Sequence, residues 1–262
     1  MIKTEDLENW PVWNDFQPIS LTEMGSVKLM NRIDTKFLAP QSLLQELLQR
    51  AQLEYLVQVV DGKRVASYDS IYFDTATLEM FTRHHDRQLR RNKVRTRTYI
   101  DSNLFFLEIK RKNNKGRTKK KRIEIDGRYF ECFQNSNKAT EFLEGLVKYK
   151  ATELNPQLHT QFNRITLVDK QKTERLTIDL NLQFVNIANG VTASLGQLMV
   201  IELKQNGFIQ SKMKEILLTM HIHPYKISKY CIGMAMTNPN AKSNRFKKKL
   251  IYIKKLNRQT TD

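Results

Sequence analysis

The stretch Arg90–Lys112 reads RRNKVRTRTYIDSNLFFLEIKRK. In an extended strand, side chains alternate between two faces, so residues i, i+2 and i+4 share one of them. Taken at that period, Arg91, Lys93, Arg95, Arg97 and Tyr99 fall on one face and Val94 on the other. Asp101-Ser102-Asn103 then supplies turn chemistry. Beyond the turn, Phe106, Glu108, Lys110 and Lys112 share a face opposite Leu107 and Ile109. The stretch predicts two long antiparallel strands, over Leu89–Ile100 and Leu104–Lys112, with one face made almost entirely of cations.

The same phase extends outward along the chain. Lys120, Arg122 and Glu124 oppose Ile123 and Ile125, and Arg164 and Thr166 oppose Ile165 and Leu167. Arg175, Thr177 and Asp179 oppose Leu176, Ile178 and Leu180, and Glu202 and Lys204 oppose Ile201 and Leu203. In the segment Leu29–Leu38, Arg32, Asp34 and Lys36 oppose Ile33. A single strand of this kind is ordinarily a solvated outer face over an apolar core. Seven such strands, dominated by Arg and Lys with a few carboxylates two residues away, point instead to a polar interior. A positive interior needs a polyanion, because unpaired buried charge is costly. Helical spacing over Gln41–Arg50, Lys138–Tyr149, Ser211–Met220 and Lys229–Met236 predicts four helices, and further strands are read at Ser70–Thr75, Gln161–Val168, Thr173–Phe184 and Gln197–Lys204. Runs of antiparallel strands with a few helices make this α+β, with a closed or highly curved sheet. Helices packed on the apolar faces would place the charged faces inside.

Composition agrees with an anion-binding protein. The 262 residues carry 44 Lys and Arg against 27 Asp and Glu, a formal charge of +17. Such an excess attracts nucleic acid, anionic membrane or phosphorylated ligands. Apolar content of 40% provides enough surface to fold. Cys132 and Cys231 are far apart and form no disulfide framework. The first residues are polar and acidic, unlike a signal peptide, and no run approaches the roughly 18 apolar residues of a membrane span. The expected location is the cytoplasm. The expected organisation is an N-terminal segment over 1–20, one tunnel domain over 21–237 and a basic tail over 238–262.

Nine segments, in order, resemble the vacuolar transporter chaperone (VTC) domain, the polyphosphate polymerase branch of the triphosphate tunnel, or CYTH-like, metalloenzymes. They are RIDTKF (32–37), SIYFDT (70–75), RRNKVRTRTY (90–99), FLEIKRK (106–112), KKKRIEI (119–125), FNRITL (162–167), ERLTIDL (174–180), IELK (201–204) and SKYCIGMA (228–235). KVRxR followed by LEIKxK and a late SKYC is the specific combination. The resemblance implies a closed antiparallel eight-stranded β-barrel tunnel with packing helices on the outside, binding ATP, triphosphate or polyphosphate with a divalent cation, manganese or magnesium. Lys36, Lys93, Arg95, Arg97, Lys110, Lys120, Arg122, Arg164, Arg175, Ser228 and Lys229 are then expected to hold phosphates. Of these, Lys36, Arg95, Arg97, Lys110, Arg164 and Arg175 are expected to act in catalysis, and Glu202, with Glu108 and Asp34, to hold the metal. Glu108 reads equally as an orienting partner of Arg95 and Lys110, and Asp179 reads equally as a further metal carboxylate or as an ion-pair partner of Arg175.

One departure bears on chemistry. Hydrolytic members carry ExExK on the first strand, whereas this chain has Arg32-Ile33-Asp34-Thr35-Lys36. A cation in the first acidic place favours a polymerase over a triphosphate hydrolase, and a binder without chemistry is the third reading. Nucleic-acid binding is disfavoured, because no aromatic platform or helix-turn-helix accompanies the charge. The pairs His84–His85 and His221–His223 lack ligand-spaced partners and read as structural. The tail, with RFKKKLIYIKKLNR, reads either as a solvated end or as a basic amphipathic element for an anionic membrane or a membrane-protein partner at its inner face.

Overall fold

A computed structural model describes residues 2–25, 32–207 and 210–259. Its elements, in chain order, begin with α1 (Thr4–Glu8), β1 (Pro18–Ser20), α2 (Leu21–Met24), β2 (Arg32–Pro40), α3 (Leu44–Ala51) and β3 (Tyr55–Val59). There follow β4 (Val65–Thr75), α4 (Glu79–His85), β5 (Arg91–Tyr99), β6 (Leu104–Lys112), β7 (Thr118–Glu124) and α5 (Asn137–Glu144). The chain then runs through β8 (Leu154–Asp169), β9 (Glu174–Asn186), β10 (Thr192–Ser194), β11 (Leu198–Asn206), α6 (Lys212–Thr219), α7 (Lys229–Thr237) and α8 (Lys247–Arg258). Residues Leu29–Asn31, expected to open the first strand, lie outside the described residues.

Eight strands follow one antiparallel path, β2-β11-β9-β8-β4-β5-β6-β7. The predicted hairpin is present: β5 pairs with β6 in the register Arg95↔Glu108 and Tyr99↔Leu104. Asn103 takes the left-handed conformation at its turn, with φ of 50°, which Asn tolerates better than most residues. Three short strands attach to this path: β3 pairs with β8, β1 with β3, and β10 with β9.

The sheet curls, because residues from all eight strands of the path line a single cavity. It is nonetheless an open half-barrel: among the described residues β2 and β7 do not pair, so the expected closure is not found. The outermost strand explains why. All of β7 is exposed except Ile123, and it carries Lys119, Lys120, Lys121 and Arg122 in a row. A lysine-studded strand at a sheet edge resists further pairing.

Apolar faces point away from the cavity, as the alternation predicts. Leu44, Leu47 and Leu48 of α3 and Met213 and Leu217 of α6 pack with Ile165, Leu167, Leu176, Ile178, Ile201 and Leu203. Residues 2–16 join this core through the buried Leu7, Trp13 and Phe16. Ala139 and Leu143 of α5 pack with Val94, Leu107 and Ile109.

One helix departs from the expected outer placement. In α7, Tyr230, Cys231 and Met234 pack with Tyr72, Leu158, Leu182 and Phe184. Tyr72 lines the cavity, and its ring stacks on Tyr230 at 5.2 Å. So α7 plugs part of the concave face and aims its first turn into the cavity. The C-terminal helix α8 packs through Ile253 into the same cluster, covering neighbouring β2 and β11. No described helix is long and apolar enough to cross a membrane.

Candidate functional site

The cavity has a volume of about 500 Å³. Thirteen Lys and Arg line it against five carboxylates, so it is strongly positive. Every residue singled out from the sequence as phosphate- or metal-binding lies on its wall: Asp34, Lys36, Lys93, Arg95, Arg97, Glu108, Lys110, Lys120, Arg122, Arg164, Arg175, Glu202, Ser228 and Lys229. The strands achieve this by pairing in register, so that same-face cations from neighbouring strands stand side by side: Lys93↔Lys110 between β5 and β6, and Lys204↔Arg175 between β11 and β9.

Three carboxylates organise part of this charge. Glu108 receives Arg95 through Nε at 2.8 Å and Nη2 at 2.6 Å, and its other oxygen takes Lys120. Asp179 receives Arg164 bidentately, at 2.6 and 2.9 Å, together with Lys229 from the first turn of α7. Glu202 sits between Lys36 and Lys204, the latter at 2.8 Å. Burial alone would raise these carboxyls. For Glu108, Arg95, Arg97 and Lys120 overcome that and hold it well below the usual carboxylate range. Arg164 and Lys229 do the same for Asp179, and Lys204 and Lys36 for Glu202.

Other cations have no carboxylate of their own. Lys110 makes no hydrogen bond or ion pair among the described residues, and Arg175 has a buried Nε without a partner. Among the described residues Arg97 donates to Ser70 alone, at 2.9 Å, and its guanidinium lies over the Tyr68 ring. Lys93 donates to Ser228 Oγ at 2.8 Å, the same oxygen that caps α7 by accepting from Cys231 N. Desolvation lowers the pKa of Lys93 and of Lys110. It also pulls Lys229 down to about 7, against the attraction of Asp179, and Lys120 and Lys204 to about 8, against Glu108 and Glu202 respectively. Cations gathered on one wall without carboxylates of their own are a site built for an anion.

The family model of the VTC domain matches residues 31–238. The chain belongs to the VTC domain family. No curated protein matches the chain. Among solved structures, this VTC domain is similar to a candidate adenylate cyclase from Bacillus halodurans, at 14% identity and a TM-score of 0.52, covering 83% of this chain and 99% of that one. That likeness supports the α+β fold with a curled antiparallel sheet. A Hippeastrum protein, described as a candidate adenylyl cyclase with a dominant triphosphatase activity, is similar at 13% identity and a TM-score of 0.49, covering 80% and 98%.

The partners of two carboxylates differ from the sequence reading. Asp179 pairs with Arg164 and Lys229 rather than Arg175. Glu108 orients Arg95 and Lys120 rather than Lys110. Lys204 joins the site although it was not singled out; the alternation that placed Glu202 inside placed Lys204 there too. Of the histidines, His85 is buried between Asp86 and Asn244, at 2.7 and 2.6 Å.

Among the described residues, no three Asp, Glu, His or Cys side chains gather as a metal-ligand group. Both oxygens of Glu108 are taken by cations, as are those of Glu202, by Lys36 and Lys204, and those of Asp34, by Arg32, so a metal on any of them would displace a cation. Glu202 and Asp34 are the two that stand together. They share the cavity face on adjacent strands, one register step apart, since Asp34 stands opposite Lys204. Magnesium-like ions bind through one or two carboxylates and complete their shell with water and substrate phosphates.

Proposed function

We propose that this VTC domain is a metal-dependent phosphotransferase that adds the γ-phosphate of ATP to a polyphosphate chain. The observation that carries the reading is the set of cavity cations without carboxylates, Lys93, Arg97, Lys110 and Arg175. They line the cavity from β9, β5 and β6, positions suited to a phosphate chain longer than one group. Phosphoryl transfer asks the protein mainly for positioning and charge neutralisation. Arg95 and Arg164, each held by a carboxylate through Nε and Nη2, contribute fixed positive charge beside the phosphates. Ser228 and Lys229, at the first turn of α7, supply a hydroxyl, an ammonium and the positive end of a helix.

In the step itself, a terminal phosphate oxygen of the chain bonds to the γ-phosphorus. The bond from that phosphorus to the bridging oxygen breaks, and ADP leaves. Holding both reactants in line contributes several kcal/mol. A manganese or magnesium ion held by Glu202 and Asp34 would neutralise phosphate charge. Arg32 beside Asp34, at 2.6 Å, removes the paired acids with which a hydrolytic site would organise an attacking water. The basic helix α8, which carries Lys247, Lys248, Lys254, Lys255 and Arg258, fits contact with an anionic membrane face or a membrane partner on the cytoplasmic side.

The test is purified protein with ATP, manganese and a short polyphosphate primer. Acid-labile polymer and ADP are expected, with free phosphate appearing more slowly. Phosphate without polymer would make the protein a hydrolase, and tight triphosphate binding with neither product would make it a binding module.

A further inference from the structure

Tyr72 lines the cavity, although the sequence reading gave it no role there. It stands on β4 opposite Arg95 of β5, and Lys93 and Arg97 flank Arg95 on the same face of that strand. Arg95 commits Nε and Nη2 to Glu108 and donates through Nη1 to the Tyr72 hydroxyl at 3.0 Å. A phenolic hydroxyl can accept and donate at once. Here the oxygen accepts from a guanidinium, and no group among the described residues accepts its hydrogen. Accepting from a cation polarises the O–H bond and makes it a stronger donor. Burial alone would raise the phenol's pKa, but Arg95, Arg97 and Lys93 overcome that and lower it. The ring is fixed as well. It stacks on Tyr230 of α7 with the planes 24° apart, and the Tyr230 hydroxyl donates to Asp74 at 2.6 Å. Asp74 is fully buried and also accepts from the backbone N–H groups of Met80 and Phe81, each at 2.9 Å. The phenol's hydrogen is thus left for a ligand in the cavity.

We infer that the Tyr72 hydroxyl is a phosphate-binding donor, which hydrogen-bonds an oxygen of the same phosphate chain that Lys93 and Arg97 receive. The inference rests on the proposed function and adds a neutral, directional contact to its cationic wall. Successive same-face residues of a strand stand about 7 Å apart. With Arg95 turned to Glu108, the row Lys93, Arg95, Arg97 would present a gap at its centre. The phenol fills that gap and carries the polarity of Arg95 to the ligand through one hydrogen bond. Because the contact is with phosphate, it serves ATP, triphosphate and a longer chain alike.

The experiment titrates inorganic triphosphate and ATP, without metal, into the full chain, Tyr72→Phe, Arg95→Met and the double variant. Tyr72→Phe keeps the ring and its stacking and removes only the hydroxyl. Both ligands should bind it about tenfold more weakly, the size of one hydrogen bond to a charged group. The decisive comparison is Tyr72→Phe made in Arg95→Met, where binding should still weaken several-fold. A loss that disappears there would mean that the hydroxyl serves only to hold Arg95, and unchanged binding in Tyr72→Phe itself would overturn the inference as directly. A second measurement leaves the packing untouched. 3-Fluorotyrosine is a stronger acid of nearly the same shape, so replacing the tyrosines with it should tighten triphosphate binding in mildly acidic buffer, and should not do so in Tyr72→Phe. No tightening in the unaltered sequence would also overturn the inference while leaving the anion-binding cavity standing. Failure of the unaltered chain to bind either ligand would instead overturn the proposed function.

Discussion

Glu202 carries two opposed duties at the residue scale. It neutralises Lys36 and Lys204, one on each oxygen, and with Asp34 it is proposed to hold a metal, which would have to displace a lysine. Glu202→Gln keeps size and shape but leaves two lysines without a counter-charge. The free protein should lose about 1–3 kcal/mol of stability, the usual cost of leaving such a group without its partner. Triphosphate should then raise the melting temperature of the variant more than that of the unaltered chain, because it replaces the lost charge. Metal-dependent turnover should disappear. Unchanged turnover with an unchanged triphosphate shift would remove Glu202 from the site. Which face of each strand turns to the cavity was legible from alternation, since side-chain period is a local property of a strand, although Arg91, Lys112 and Glu124, in the same phase, lie beyond its lining. Which of the cavity residues pair was not. Asp179 faces Arg164 in register while Arg175 faces Lys204, and register between strands is set by the whole sheet rather than by spacing within one of them.

At the scale of elements, α7 ties the fold to the site. Gly233 lies where a Cβ would come within 2.5 Å of Leu158 Cδ2 and 2.6 Å of Phe184 Cδ1. Glycine there lets the helix sit close on the concave face, so that Ser228 and Lys229 reach the cavity. Gly233→Ala should cost about 1–3 kcal/mol by overpacking and should also lift the first turn of α7. Triphosphate binding should weaken in the same variant, although residue 233 does not line the cavity. Thermal melts and triphosphate titration measure both effects; lowered stability with unaltered binding would separate the helix position from the site. Helical spacing revealed that 229–236 is a helix, and the pattern around it held a further signal. Tyr230, Cys231, Ile232 and Met234 are all buried, and a helix apolar on nearly every side is enclosed rather than laid on a surface. The open edge at β7 had its signal as well, in the run Lys119–Arg122, which the expectation of a closed barrel overrode. The strand Tyr55–Val59 went unread, because five residues beside a helix give too short a period to recognise.

For the whole molecule, the collected cations make stability and ligand binding respond to pH with opposite signs. Lys229 is lowered to about 7, and Lys120 and Lys204 to about 8, whereas lysines in the unfolded chain titrate near 10.4. Between about pH 7 and about pH 10.4, the unfolded chain therefore holds more protons at these positions than the folded one. Stability rises with pH wherever the unfolded state binds more protons, so the free protein should become more stable across this window. Binding runs the other way. A bound phosphate chain favours the charged ammonium, so the lysines take up protons as the ligand binds, and affinity falls once they must be protonated to receive it. Above about pH 7.5 the second ionisation of phosphate, near 6, is essentially complete, so the ligand's own charge no longer changes the trend. From about pH 7.5 to about pH 9.5, the melting temperature of the free protein should rise while ATP affinity falls, with Lys120 and Lys204 carrying most of the change. Calorimetric titration in two buffers of different ionisation enthalpy should show net proton uptake on binding, and this uptake should shrink in Lys204→Met. Affinity and stability moving together, or binding without proton uptake, would mean that these lysines are not what holds the phosphate chain.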